Sequence, residues 1–266
     1  MNVLIIGCGA IGTAITRALQ HNPKIEKIFL IDNKEEYIRL LSEKYDKAMG
    51  CKFPDVLSEV HLAIECASQS AVAQYVPTVL ERGVDVLVLS VGALADDGLR
   101  EKIFEIANAR NARIYIPSGA IAGIDAVCAV KGEGIYETLL ETRKPPSAFE
   151  EKVLAENGLN RVSIKTPVTI YEGTARDAVK KFPKNINVAA TLSLAGMGFD
   201  KTKVRIVVDP GISTNIHRIF VKGDFGEMIL ETRNKPFPHN PKTSYLAALS
   251  AINAVRKITE NVWVGV

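Results

Sequence analysis

Cysteine is scarce in this chain, charge is nearly balanced, and no apolar run is long enough to cross a bilayer. Each shortage removes a class of function. The four cysteines, Cys8, Cys51, Cys66 and Cys128, stand singly, with neither the density of a disulfide scaffold nor the spacing of a thiolate metal site. No H-E-x-x-H, no C-x-x-C and no paired histidines are present, so no metal centre is expected, and no G-x-S-x-G announces a nucleophilic serine. The net charge is only +3, without a basic run or alternating basic and aromatic residues, which argues against a nucleic-acid partner. With no transmembrane stretch, charged leader or processing site, the expectation is no membrane association and a cytoplasmic location. At 266 residues, 47% of them hydrophobic, the chain has core enough for one large domain or two smaller ones.

What is present begins at once. Met1–Ile6 is a short apolar, β-branched run that breaks into Gly7-Cys8-Gly9-Ala10-Ile11-Gly12. The pattern predicts a buried strand, a tight turn and a helix start. Gly7 permits the turn, Gly9 lets backbone lie against a pyrophosphate, and Gly12 lets the helix sit close on the sheet. The start of that helix, at Ala10 and Ile11, offers unpaired N–H groups and partial positive charge to phosphates. The fingerprint alone is weak, but its context is in register. Ala14, Ile15, Ala18 and Leu19 continue a helix with one apolar face, and Lys27–Ile31 is a second strand ending in Asp32, about twenty residues past Gly12. An acid there bonds the adenosine ribose of NAD and repels the 2′-phosphate of NADP, although neighbouring Asn33 and Lys34 leave both cofactors open.

The rhythm repeats. Segment 35–49 reads as helix, Val60–Cys66 as strand, Val84–Ser90 as strand, Asp97–Ala109 as helix and Arg113–Ile116 as strand. Strands alternating with helices predict a doubly wound parallel Rossmann sheet. Its strand ends at Gly7, Asp32, Cys66, Ser90 and Ser118 should share one edge. Cys66 is assigned to the cofactor crevice at that edge, the small side chains of Ala67 and Ser68 would leave room there for the nicotinamide ribose, and Ser68 can equally cap the next helix. Beyond Ser118 the texture changes. Gly119–Val127 is rich in small residues and reads as a helix start able to present bare N–H groups. Asn185–Ala195 reads as an asparagine-capped helix. The strands at Ile135–Arg143, Arg161–Tyr171, Lys203–Asp209, Ile216–Lys222 and Glu227–Thr232 lack the βα rhythm, which predicts an α+β domain with a mixed or antiparallel sheet. Residues 1–118 are thus assigned to a dinucleotide domain and 119–239 to a substrate domain. Residues 240–266 are assigned to a terminal helix, opened by Asn240–Ser244, whose stripe Leu246, Leu249, Ile252 and Val255 packs on the first domain or on a second subunit.

Four histidines are available for proton transfer. His21 follows the first helix on the wrong side, His61 starts a strand, and His239 sits among prolines. His217, in a polar interruption between apolar stretches, is either a cleft histidine able to take and give a proton or a strand-surface one.

At these residues the chain resembles the L-aspartate dehydrogenases, which are built like dihydrodipicolinate reductase. The resemblance runs almost full length through Glu65–Ser68, Ser90–Leu94, Pro117–Gly123, Thr142–Pro146, Phe182–Ala190 and Asn240–Ser244. It implies cofactor contacts at Ala120 and Asn187, an active-site His217, NAD or NADP as cofactor, and a homodimer. It also implies oxidation of L-aspartate to iminoaspartate, which hydrolyses to oxaloacetate and ammonia or feeds NAD biosynthesis. The rival readings are a reductase of a cyclic imine or small carbonyl with this architecture, favoured by a catalytic lysine such as Lys165, and a non-catalytic NAD(H) sensor. Arg143, Lys144, Lys165 and Arg218 are all candidates to bind the substrate carboxylates, and the sequence does not choose among them.

Overall fold

The computed structural model describes every residue except 184–185, 238–239 and 265–266, with backbone alone at 240–243. His239 therefore lies outside the described residues. The chain forms two compact units, Met1–Pro117 with Ala248–Val264, and Ser118–Ala247.

In the first unit, strands and helices alternate: β1 Val3–Ile6, α1 Ala10–Gln20, β2 Ile28–Ile31, α2 Glu35–Lys44, β3 Ala48–Gly50, β4 Leu62–Glu65, α3 Gln69–Glu81, β5 Asp85–Val88, α4 Asp97–Arg110 and β6 Ile114–Tyr115. The sheet order is β3-β2-β1-β4-β5-β6 and every pairing is parallel. The Val-Leu-Ile-Ile of β1 is buried on both faces, as a central parallel strand requires. Chain order reverses between β1 and β4, the point at which such sheets bind ligands. The predicted helix over 35–49 stops at Lys44, and Ala48–Gly50 instead pairs with β2 as an edge strand. Three residues are too few for an alternation to show in sequence.

The second unit contains α5 Ile124–Ala129, β7 Ile135–Lys144, α6 Glu151–Glu156, β8 Val168–Thr174, α7 Ala175–Lys181, α8 Asn187–Ala195, β9 Lys203–Val208, β10 Asn215–Gly223, β11 Gly226–Asn234, and the hairpin of β12 Pro236–Phe237 with β13 Asn240–Ser244. Its main sheet runs β11-β10-β7-β9-β8 and is mixed: β7 and β9 are parallel and the other pairs antiparallel. Strand β8 begins at Val168, so the predicted strand from Arg161 was too early.

The terminal helix, α9 Tyr245–Thr259, differs from its prediction at two points. Asn240–Ser244 does not open it but forms β13. Its buried stripe is Ala248, Ala251 and Val255, with Leu249 42% exposed. Ala251 and Val255 enter the first unit's core beside Ile15, Leu19 and Leu30. Two alanines let the helix axis approach the core closely, and the hydrophobicity of Leu249 concealed that.

Candidate active site

The end of β1 is shaped by glycine. Gly7 has φ +103°, and a Cβ there would lie 2.8 Å from the Ala67 backbone; one on Gly12 would lie 2.0 Å from the Gly7 carbonyl. Both positions exclude any side chain. Gly9 is different: a Cβ on it would meet nothing within 4 Å, so the turn presents bare backbone to open space at the start of α1. The Cys66 amide donates to Ile6 O at 2.9 Å and its thiol to Gly7 O at 3.1 Å, which joins the ends of β1 and β4. Burial raises the Cys66 thiol well above its ordinary value, and Cys8 is pushed up to about 12 by burial and then by Asp32. Neither is a reactive thiolate.

Asp32 serves the loop as well as facing outward. Its Oδ2 accepts the Cys8 amide at 2.7 Å and its Oδ1 the Lys34 amide at 2.9 Å. The carboxylate is thereby fixed at the rim of a cavity of about 350 Å3 shared with Gly9, Asn33, Cys66, Ala67 and Ser68. Ser68 Oγ accepts the Ala71 amide at 3.2 Å, so this serine does cap α3. His61 is structural, its Nδ1 accepting the Asn2 amide at 3.1 Å.

Sequence reasoning passed over Glu65, the last residue of β4. Its side chain is fully buried. Oε1 accepts the amides of Ala67 and Ser68 at 2.9 and 3.0 Å and the Ser90 hydroxyl at 2.9 Å, while Oε2 accepts the Ser90 amide at 3.0 Å. One carboxylate therefore ties the loop after β4 to the loop after β5. Burial raises its pKa and the four donors oppose that rise. The available signal was an acid at the end of an otherwise apolar strand.

In the second unit the informative feature is one end of the main sheet. His217 on β10 pairs with Thr142 on β7 and Thr232 on β11. The ring is 2% exposed and its Nδ1 lies 3.0 Å from Thr142 Oγ1. Burial, and next the charge of Lys144, lower its pKa to about 3. His217 is thus a neutral imidazole at working pH, oriented through one nitrogen by a threonine. Lys144, Asn215, Asn234 and Ser244 are also buried.

The small-residue segments differ from their predicted form at two points. Ala120 precedes its helix, which starts only at Ile124, so no helix N-terminus lies at Ala120. It sits in a turn whose carbonyl accepts Thr232 Oγ1 at 2.9 Å and Asn234 Nδ2 at 2.8 Å. The helix read over Asn185–Ala195 begins at Asn187, which is exposed, with Ile186 in the capping position and Asn185 outside the described residues. Lys165 is exposed. No group of His, Cys, Asp and Glu among the described residues is placed to hold a metal.

Residues 125–258 match the family described as aspartate dehydrogenase, C-terminal, and residues 7–117 that described as homoserine dehydrogenase, NAD binding domain. An L-aspartate dehydrogenase of Methanosarcina mazei is 44% identical over 269 residues, covering 100% of this chain and 99% of that one. The chain belongs to the L-aspartate dehydrogenase family. A member from Ralstonia pickettii is 36% identical across 96% of each chain. The crystal structure of aspartate dehydrogenase from Thermotoga maritima superposes with a TM-score of 0.79 at 31% identity, covering 99% of both chains. A hyperthermophilic archaeal homoserine dehydrogenase, solved with NADPH, shares the fold at a TM-score of 0.58 and 12% identity. The first unit fits a nicotinamide dinucleotide on its own geometry: open space over Gly9 at a helix start, a fixed carboxylate at the end of β2, and a cavity joining them.

Proposed function

We propose that the protein oxidises L-aspartate to iminoaspartate with NAD or NADP, the imine then hydrolysing to oxaloacetate and ammonia. The observation that carries the reading is the buried, threonine-held His217, in a chain that belongs to this family along its whole length. Bound nicotinamide supplies the acceptor for the hydride. On the substrate, the Cα–H bond breaks with its electron pair leaving, and the nitrogen lone pair closes the C=N bond. Water then adds to the imine carbon and ammonia departs. His217, held at Nδ1, exchanges protons at Nε2 with the substrate nitrogen and the attacking water. Ala120 and Asn187 keep, in this reading, the cofactor contacts that the resemblance implies for them. The functional protein is a homodimer.

Between the two cofactors, the reading favours NAD. The Asp32 charge repels a 2′-phosphate, and its two amide bonds leave lone pairs for ribose hydroxyls. The test follows reduced-cofactor absorbance at alkaline pH with L-aspartate, L-glutamate, L-alanine and L-malate, using NAD and NADP in parallel, for wild type and Asp32→Asn. L-Aspartate should exceed the other substrates. Asp32→Asn keeps an acceptor for the Cys8 amide and should shift preference toward NADP by roughly tenfold, the effect of a lost hydrogen bond and a relieved charge clash. No aspartate signal above the panel ends the functional reading, and an unchanged cofactor ratio ends the role of Asp32.

A further inference from the structure

The inner face of the second sheet changes character along its length. On β7 the buried side chains alternate Leu140, Thr142, Lys144, and on β10 they run Ile219, His217, Asn215. The strands are antiparallel with His217 opposite Thr142 and Ile216 opposite Arg143. The apolar residues therefore fall together at one end and the polar ones at the other. Within the polar end, Asn234 and Thr232 are committed to the Ala120 carbonyl, and Thr142 to the His217 ring. Asn215 is different. It is 1% exposed, its Nδ2 donates to Ser244 Oγ at 3.2 Å, and its Oδ1 accepts no hydrogen bond from the described residues. A buried acceptor on the same strand face as the His217 ring is disfavoured until a donor reaches it, and a ligand's N–H is such a donor.

The four cations left open by the sequence are separated by the same face. Arg143 turns outward, where Glu141 holds its Nε at 2.7 Å and Asp209 its Nη1 at 3.4 Å. Arg218 pairs with Glu231 on that outer side, and Lys165 is exposed. Lys144 alone of the four is on the inner face, 4% exposed and near enough for its charge to bear on His217. Burial lowers it to about 8, which leaves it cationic at neutral pH.

We propose that Lys144 and Asn215 form the substrate-anchoring pair beside His217: the Lys144 ammonium binds one carboxylate, and Asn215 Oδ1 accepts a hydrogen bond from the substrate nitrogen. The pair selects an anionic substrate carrying an N–H donor, and it rests on the aspartate reading above. Succinate, a dicarboxylate without the nitrogen, separates the two contacts. Lys144→Met should raise both the KM for L-aspartate and the inhibition constant of succinate by tenfold or more, on the order of a charge-assisted hydrogen bond. Lys144→Arg should recover part of both. Asn215→Ala should raise the aspartate KM by roughly tenfold and leave succinate inhibition within about twofold. NADH affinity should be unchanged in all three. If Lys144→Met does not fold, judged by its melting transition, Lys144→Gln carries the same measurement. Unchanged succinate inhibition in the folded Lys144 variant, or equal weakening of succinate and aspartate in Asn215→Ala, overturns the pair. A wild type inert to aspartate overturns instead the reading on which the pair rests.

Discussion

His217 shows how far a residue's environment can move it from its sequence-level expectation. A histidine read from sequence carries a pKa near neutrality. Buried against Thr142 with Lys144 close by, this one is lowered from 6.5 to about 3, so a neutral limb in the pH–activity profile does not belong to it in the free protein. His217→Ala should lower turnover with aspartate by roughly two to four powers of ten while NADH affinity stays near wild type. The same shift has a stability consequence. Below its ordinary pKa the unfolded chain takes up a proton at this ring that the folded chain refuses until about pH 3. Stability therefore falls as pH drops through that window. His217→Gln removes this contribution. Its melting temperature should fall less between pH 7 and pH 4 than that of wild type, and parallel curves would mean that the ring is protonated in the fold.

At the scale of elements, the turn between β1 and α1 separates two uses of glycine that look identical in sequence. Gly12 has no room, since a Cβ would meet the Gly7 carbonyl at 2.0 Å, whereas the corresponding space at Gly9 is open. Gly12→Ala should therefore force α1 off β1 and lower the melting temperature markedly, by an overpacking cost of about 1–3 kcal/mol or more. Gly9→Ala should fold with a near-wild-type transition and bind NADH far more weakly, because the new methyl occupies the space over the helix start. Thermal melts and NADH titrations on the two variants check this. Equal loss of stability in both would show that Gly9 is packing glycine as well. Glu65 does related work from the neighbouring strand, holding three backbone amides and a hydroxyl with one carboxylate.

For the whole molecule, the outer face of the second sheet bears on assembly. Leu139, Phe220 and Ile229 lie in one cross-strand row, with Ile229 63% exposed. The adjoining row carries Glu141, Arg218 and Glu231. An apolar row bordered by charges of both signs suits a second copy of the same face, as a two-fold interface demands self-complementarity. If the proposed homodimer forms through this face, Ile229→Glu shifts the mass seen by light scattering toward that of a monomer, with the melting transition retained. An unchanged dimer would place the interface elsewhere. Among the described residues no helix is long and apolar enough to cross a membrane.

The amino-acid sequence by itself determined what depends on contiguous residues. The strand, glycine turn and helix of the dinucleotide fold are written within one short segment, and Asp32 follows at a fixed spacing because one helix and one strand have a set length. The change to a mixed sheet was also legible, because the alternation of strand and helix stops. Tertiary structure decided the rest. Thr142 meets His217 across 75 residues of chain and Asn215 meets Ser244 across 29, and no local pattern encodes those pairings. Arg143 and Lys144 are neighbours of similar charge, yet one joins a part-buried ion-pair network on the outer face and the other is buried near the imidazole. Successive side chains on a strand point to opposite faces. Which face is inward is settled only when β7 is paired with β10 and β9 and the apolar end of that face is buried.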